Sequence, residues 1–324
     1  MLLFYFNLIR PNRAFLTSRC MSLEVGGSRS TRREPTQSRG EHANSTQKDP
    51  EAGIELTTTQ DLRIYSPGNV PGPGCTADPS EVTLPGCSCR SHQCPSETCS
   101  CLQSHGQAYA SNGTLLSANV PDANHCTPVF ECNALCPCSD TCSNRVVQGG
   151  LRLALQVCST GERGWGVRTC QRIPRGTFVC EYAGEVIGFE EARCRQLAQG
   201  CEVNNYIIAV REHGGTASVA ETFVDPTTVG NVGRFLNHSC LPNLFMVPVR
   251  VHSAVPRLAL FAGRDIDALE ELTFDYSGGY RNQTPGQMPV TQTDQASRTV
   301  RRKVCHCGAN NCEKFLPLDA SILN

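Results

Sequence analysis

The chain is 324 residues long, with 29 Lys and Arg against 30 Asp and Glu and a formal net charge of −1 at pH 7. That length exceeds one typical core and implies two compact units with linkers, which excludes a small peptide scaffold. So balanced a charge supplies no broad positive field for nucleic acid, and direct DNA binding is not indicated.

Leu2 to Ile9 is the first apolar stretch, but Asn7 interrupts it and Arg10 ends it. Crossing a bilayer takes about 18 apolar residues, so no membrane span is expected. The stretch also lacks a basic lead-in and a small-residue cleavage site, which disfavours a secretory signal and points to reduced thiols. Arg10, Arg13 and Arg19, with no acid before residue 24, weakly suggest a mitochondrial leader; a start at Met21 is the preferred reading. Tyr65 is the only aromatic residue between positions 16 and 80. Residues 1–74 are therefore read as a disordered arm, with too little apolar surface to offset the entropy of ordering.

Of 21 cysteines, 11 fall between Cys75 and Cys142, and the odd total cannot be fully paired within the chain. Nine of them form a pattern: Cys87, Cys89, Cys94, Cys99, Cys101, Cys132, Cys136, Cys138 and Cys142. Four thiolates hold one zinc in a tetrahedron, so nine fit neither two nor three separate sites. Three zincs sharing three bridging thiolates do close, with the other six sulfurs terminal. The C-x-C pairs suit such a cluster, because ligands two apart reach adjacent metals from one turn. Cys75 and Cys126 stand outside the pattern.

From Val146 the texture changes, and Leu151, Leu153, Leu155 and Val157 alternate with polar or small residues at the period of a half-buried strand. Further strands are predicted over 178–182, 206–210, 222–224, 245–251, 258–261 and 271–274, with a helix over 189–199 and a second short one over 229–236. The unit is mainly β. Residues 281–304 are polar, end on Arg301, Arg302 and Lys303, and read as a flexible insert. Cys305, Cys307 and Cys312 then offer three ligands on a short tail, and Cys240 in the turn Asn237-His238-Ser239-Cys240 is the candidate fourth. Cys158, Cys170, Cys180, Cys194 and Cys201 lie among apolar or helical residues and are expected to be small core residues.

Seven motifs occur in order: FECN-x-x-C-x-C from Phe130, NRVVQ from Asn144, GWGVR from Gly164, EYAGEV from Glu181, RFLNHSC from Arg234, FDY from Phe274 and C-x-C-x4-C from Cys305. Together they resemble the SET-domain histone-lysine methyltransferases with cysteine-rich pre-SET and post-SET segments. The resemblance implies a knot-like, mainly β SET fold at 146–280, preceded by a pre-SET zinc cluster at 75–145 and followed by a post-SET segment at 305–324. It implies S-adenosyl-L-methionine as cofactor, three pre-SET zincs and one post-SET zinc, a histone tail or nucleosome as partner, and a place in the nucleus on chromosomes. Arg163, Gly164, Trp165, Tyr206, Arg234, Asn237, His238 and Tyr280 would form the cofactor site, with Asn237 and His238 holding adenine. Tyr276 would orient the substrate amine and Tyr182 would wall the lysine channel. Family members carry Phe or Tyr at position 274, and Phe274 implies products up to at least dimethyl-lysine. Glu181, Glu185, Glu221 and Asp225 are candidates to meet a basic tail. The competing reading is a non-catalytic, zinc-stabilised chromatin adaptor.

Overall fold

Apolar alternation along the second half of the chain becomes two sheets in the computed structural model. It describes residues 64–121, 126–198, 205–213, 219–278 and 303–317, together with the backbone strands Phe4–Leu8, Gln47–Lys48 and Glu55–Leu56. Most of the arm expected at 1–74, nearly all of the insert expected at 281–304, Cys201 and Tyr280 lie outside the described residues.

The strands in chain order are β1 (Ile64–Tyr65), β2 (Val70–Pro71), β3 (Val129–Phe130), β4 (Leu155–Ser159), β5 (Trp165–Thr169), β6 (Phe178–Tyr182), β7 (Gly184–Ile187), β8 (Ile208–His213), β9 (Val219–Gly230), β10 (Asn237–His238), β11 (Leu244–Arg250), β12 (Arg257–Ala262) and β13 (Glu271–Phe274). One sheet runs β8-β9-β7-β2, with Phe4–Leu8 antiparallel on β8 and β1 parallel on β9. The other runs β4-β5-β13-β11-β12-β6, with β3 parallel on β11. Strand pairing thus reaches well upstream of Cys75, with Glu55 paired to Gln156 and Ile64 to Val229.

Strand β6, last in its sheet's order beside β12, is buried at all five positions. Its neighbours Leu258 and Leu260 on β12, with Leu155, Val167, Ile208, Leu244 and Leu272, form the main apolar core. Strands β5 and β7 escaped the sequence reading, because Gly166 and Gly184 interrupt their apolar alternation. The second predicted short helix is instead a 3-10 turn, Val232–Phe235, after β9 runs on to Gly230. Asn231 starts the turn by accepting from the Gly233 N–H at 3.0 Å. The helix read at 189–199 is α2, Phe189–Ala198; a shorter one, α1 (Ser100–His105), lies among the cysteines.

Two contacts position the site. Strand β10 pairs parallel with β13, setting Asn237 against Thr273 and His238 against Phe274, so RFLNHSC lies beside FDY. Glu131, buried in the cysteine-rich lobe, accepts from Tyr109 Oη at 2.7 Å and from the N–H groups of Val146, Val147 and Gln148 at 3.0, 2.7 and 3.2 Å. One carboxylate thus collects the orphan donors of the turn that leads into the sheets.

Of the cysteines expected in the core, Cys180 is buried, Cys158 and Cys194 are half-buried, and Cys170 is exposed. Cys170 stands just past the end of β5, where the strand gives way to a turn and no layer covers it.

Candidate active site and metal centres

The hairpin of β4 and β5 turns through Thr160–Gly164, where Gly164 adopts φ of +75°, a conformation that favours glycine. Gly166 permits a close approach: a Cβ there would stand 2.5 Å from Thr160 Cγ2 and 2.9 Å from Asn237 Nδ2. Asn237 can therefore donate to Thr160 Oγ1, the Trp165 carbonyl and Glu271 Oε1, each at 3.1 Å. Glu271 also takes both arms of the Arg163 guanidinium, at 3.1 and 2.7 Å. The fork-to-carboxylate geometry fixes both partners.

These groups border a cleft of about 690 Å3, within the usual range for a small-molecule site. Arg163, Gly164, Trp165, Tyr182, Tyr206, Arg234, Asn237, His238 and Tyr276 all line it. Phe274 stands behind them, 2% exposed, with its ring 6.0 Å from that of Tyr182 and 4.9 Å from that of Tyr276. Arg234 lies 4.3 Å over the Tyr206 ring and donates to the Thr227 carbonyl at 2.8 Å, pinning that aromatic in place. The sequence reading passed over Glu162, Asn205, Phe235, Leu236, Lys303, Val304, His306 and Leu316 as cleft residues; they and Cys305 complete the wall. Phe235 and Leu236 stood in view inside RFLNHSC and His306 inside C-x-C-x4-C; the others come from segments without a motif.

Tyr276 Oη donates to the Leu236 carbonyl at 2.8 Å, and Tyr182 Oη donates to the Tyr206 carbonyl at 2.5 Å. With both hydroxyl protons committed to main chain, the phenol oxygens keep only acceptor capacity. Burial raises the Tyr182 hydroxyl well above its ordinary pKa, so it stays protonated. Burial also lowers the pKa of His238. Of the candidate tail-binding carboxylates, Glu181 and Asp225 are buried, Glu185 is half-buried and Glu221 is exposed. Arg195 engages Glu185 at 2.7 Å and the fully buried Asp225 at 2.9 Å, and Arg211 engages Glu221 at 2.6 Å. Glu181 is buried, 3.7 Å from Arg257, and burial pushes its carboxyl up to about 7.

The cysteines gather into four ligand sets, each with its sulfurs within 4.8 Å of one another: Cys87, Cys101, Cys132 and Cys136; Cys87, Cys94, Cys99 and Cys132; Cys94, Cys132, Cys138 and Cys142; and Cys240, Cys305, Cys307 and Cys312. Cys89 packs against the first three. Zinc–sulfur bonds of about 2.3 Å put tetrahedral sulfurs about 3.8 Å apart. Here Cys87 to Cys94 is 3.8 Å, Cys94 to Cys132 is 3.7 Å, and Cys240 to Cys305 is 3.9 Å. The sulfurs also accept N–H groups, from Cys87 and Asn133 onto Cys136 at 3.2 Å and from Arg145 onto Cys138 at 3.5 Å. Such donors favour thiolate, the form that binds metal. The donor set fits zinc, and none of these cysteines is in a disulfide.

The Pre-SET motif matches residues 52–145 and the SET domain matches residues 164–277. Histone-lysine N-methyltransferase SETMAR of Bos taurus is 51% identical over 259 residues, covering 80% of this chain and 82% of that protein. The chain therefore belongs to the SET-domain histone-lysine N-methyltransferases. Homo sapiens SETMAR is 52% identical over 258 residues, covering 80% of this chain; the chain spans 37% of that longer protein. The crystal structure of the human SETMAR methyltransferase domain superposes with a TM-score of 0.71 at 46% identity, covering 85% of this chain and 99% of that one. KRYPTONITE, in complex with mCHH DNA, an H3(1-15) peptide and SAH, has a TM-score of 0.57 at 30% identity, covering 78% and 47%.

Proposed function

We propose that the chain transfers methyl groups from S-adenosyl-L-methionine to the ε-amine of a histone-tail lysine, reaching at least the dimethyl state, in the nucleus on chromatin. The observation that carries this reading is the pair of phenol oxygens at the cleft, both held as acceptors by main-chain carbonyls. A relative of the same fold holds an H3 peptide and SAH together, which supports the choice of substrate and cofactor.

S-adenosyl-L-methionine, when bound, supplies a methyl group on a sulfonium. Gly164 and Trp165 bring main chain to the cleft, and Arg163, Tyr206 and Arg234 supply its charged and aromatic walls. Since the two Asn237 amide hydrogens are shared among three internal oxygens and the His238 ring faces Cys240 and the Tyr276 N–H, their contribution to adenine binding falls to their main chain and the Asn237 amide oxygen.

A free lysine has a pKa near 10.4 and must lose its proton to act as a nucleophile. Enclosure by Tyr182, Tyr276, Leu236 and Phe235 penalises the ammonium and favours the neutral amine. The two phenol oxygens then accept the amine's N–H bonds and leave its lone pair free to point along the cleft. Phe274 adds no hydroxyl and so holds no water where a methylated amine must turn.

The nine thiols close as a three-zinc cluster when Cys89 replaces Cys132 in the second set. Cys87, Cys94 and Cys132 are then the three shared sulfurs, and each metal has two terminal ligands. With the tail site, the total is four zincs per chain.

Recombinant protein incubated with nucleosomes and S-adenosyl-L-methionine, followed by mass spectrometry of the histones, tests the reading. Mono- and dimethyl products on one tail lysine are expected. Cofactor binding without any transfer would overturn it in favour of an adaptor.

A further inference from the structure

His238 has a second task that cofactor binding does not call for. Its side chain is 3% exposed, and its ring lies 5.3 Å from that of Tyr276. The Tyr276 N–H points at Nδ1 from 3.2 Å, and an amide N–H can only donate. In the neutral ring Nδ1 is therefore the acceptor and the proton sits on Nε2. Nε2 lies 3.4 Å from Cys240 Sγ. Asp275 Oδ1, 3.6 Å from Nδ1, already accepts from the N–H and Oγ of Ser277 at 2.9 and 2.8 Å.

We propose that His238 is a positioning residue that ties Tyr276 to the tail metal, Nε2–H holding the Cys240 sulfur while Nδ1 holds the Tyr276 main chain. This rests on the reading of Cys240, Cys305, Cys307 and Cys312 as a zinc site. A metal-bound thiolate accepts the Nε2 proton more strongly than a free thiol does, because the bond is charge-assisted. Occupation of the tail site therefore stiffens the ring, and the ring fixes the main chain that carries the Tyr276 hydroxyl. Cys240 is the one ligand of the four outside the tail, so the tether joins the post-SET segment to the lysine channel through a single side chain.

Two substitutions separate the two bonds. Asn keeps an acceptor at the Nδ1 position but falls short of the sulfur; Gln keeps an N–H at the Nε2 position but offers no acceptor to Tyr276. The readouts are chelator-driven release of the tail zinc, identified as the phase missing from Cys312→Ser, and kcat and KM on a histone peptide in excess zinc. His238→Asn should release tail zinc about tenfold faster or more, with a smaller loss of kcat than His238→Gln shows. His238→Gln should release it at the wild-type rate with kcat lowered about tenfold and KM unchanged. Equal effects of both variants on both readouts, or no change in zinc release, would overturn the tether while leaving the zinc site standing. Absence of any such phase overturns both. Nitrogen-15 NMR of histidine in zinc-loaded wild-type protein needs no variant: Nε2-protonated His238 is expected, and an Nδ1-protonated ring refutes the proposal.

Discussion

The cysteine-rich lobe and the sheet core solve the same problem by different chemistry. Around β6 the interior is Val, Leu, Ile and Phe, and Leu258, Leu260 and Phe261 are fully buried. In the lobe, the buried cluster consists of eight cysteines and Leu102, and α1 is its only helix among the described residues. Apolar burial supports the first region whatever the solution holds; around its cysteines the second buries little carbon besides Leu102 and depends on its metal there, while Tyr109, Leu115 and Val129 pack against the sheet. The tail repeats the lobe's solution on a smaller scale, and it is the tail that closes the cleft.

Removal of metal should therefore break the comparison most sharply. Structural zinc contributes on the order of 10 kcal/mol to folding of such sites, so a strong chelator is expected to unfold residues 87–102 and 132–142 and end methyl transfer. Hydrogen exchange should show the lobe losing protection while β6 and β12 keep theirs; equal loss in both regions would erase the distinction. In the sheet core, Leu260→Ala should lose about 2–5 kcal/mol in denaturant unfolding without changing the zinc content.

Glu181 sharpens the contrast from the side of charge. Burial pushes its carboxyl from the ordinary 4.5 up to about 7 in the folded protein. The sign follows from linkage: stability linked to this group is fully present below 4.5 and is lost as pH rises through 7. Glu181→Gln should match wild type near pH 4.5 and exceed it by about 3 kcal/mol at pH 8, the size of that shift. Thermal melts across this range check it, and a parallel pH dependence in both proteins would refute it.

Smaller effects belong to the cleft. Tyr276→Phe is expected to lower turnover about a hundredfold while cofactor affinity, read by calorimetry, stays near wild type. The ring would keep its contacts with His238 and Phe274, so the loss belongs to the hydroxyl oxygen. Phe274→Tyr should alter stability by less than about 1.5 kcal/mol yet move the product mixture toward monomethyl-lysine. Product distributions on one peptide, wild type against variant, decide it.

Much of this was legible in the order of residues. β6 and β13 appear where alternation and β-branching put them, and ligand counting alone paired Cys240 with a tail 65 residues later. Other features were hidden for physical reasons. Glycine breaks the alternation of β5 and β7 just where close approach to Asn237 and Asp225 is required. Glu185 and Asp225 were candidates to meet a basic tail, because a sequence shows charge without showing that Arg195 pairs with both; Glu221, paired with Arg211, stays exposed. Glu271, which clamps Arg163 and Asn237, belongs to no motif and becomes visible only when β13 lies beside the hairpin.

Three ligands of the tail site lie between Cys305 and Cys312, while Cys240 stands 65 residues before Cys305, so seating the tail metal joins distant parts of the chain and costs more closure entropy than four sulfurs on one short segment. As chelator is added, the tail metal should leave before the lobe metals, opening the cleft while the lobe is still folded.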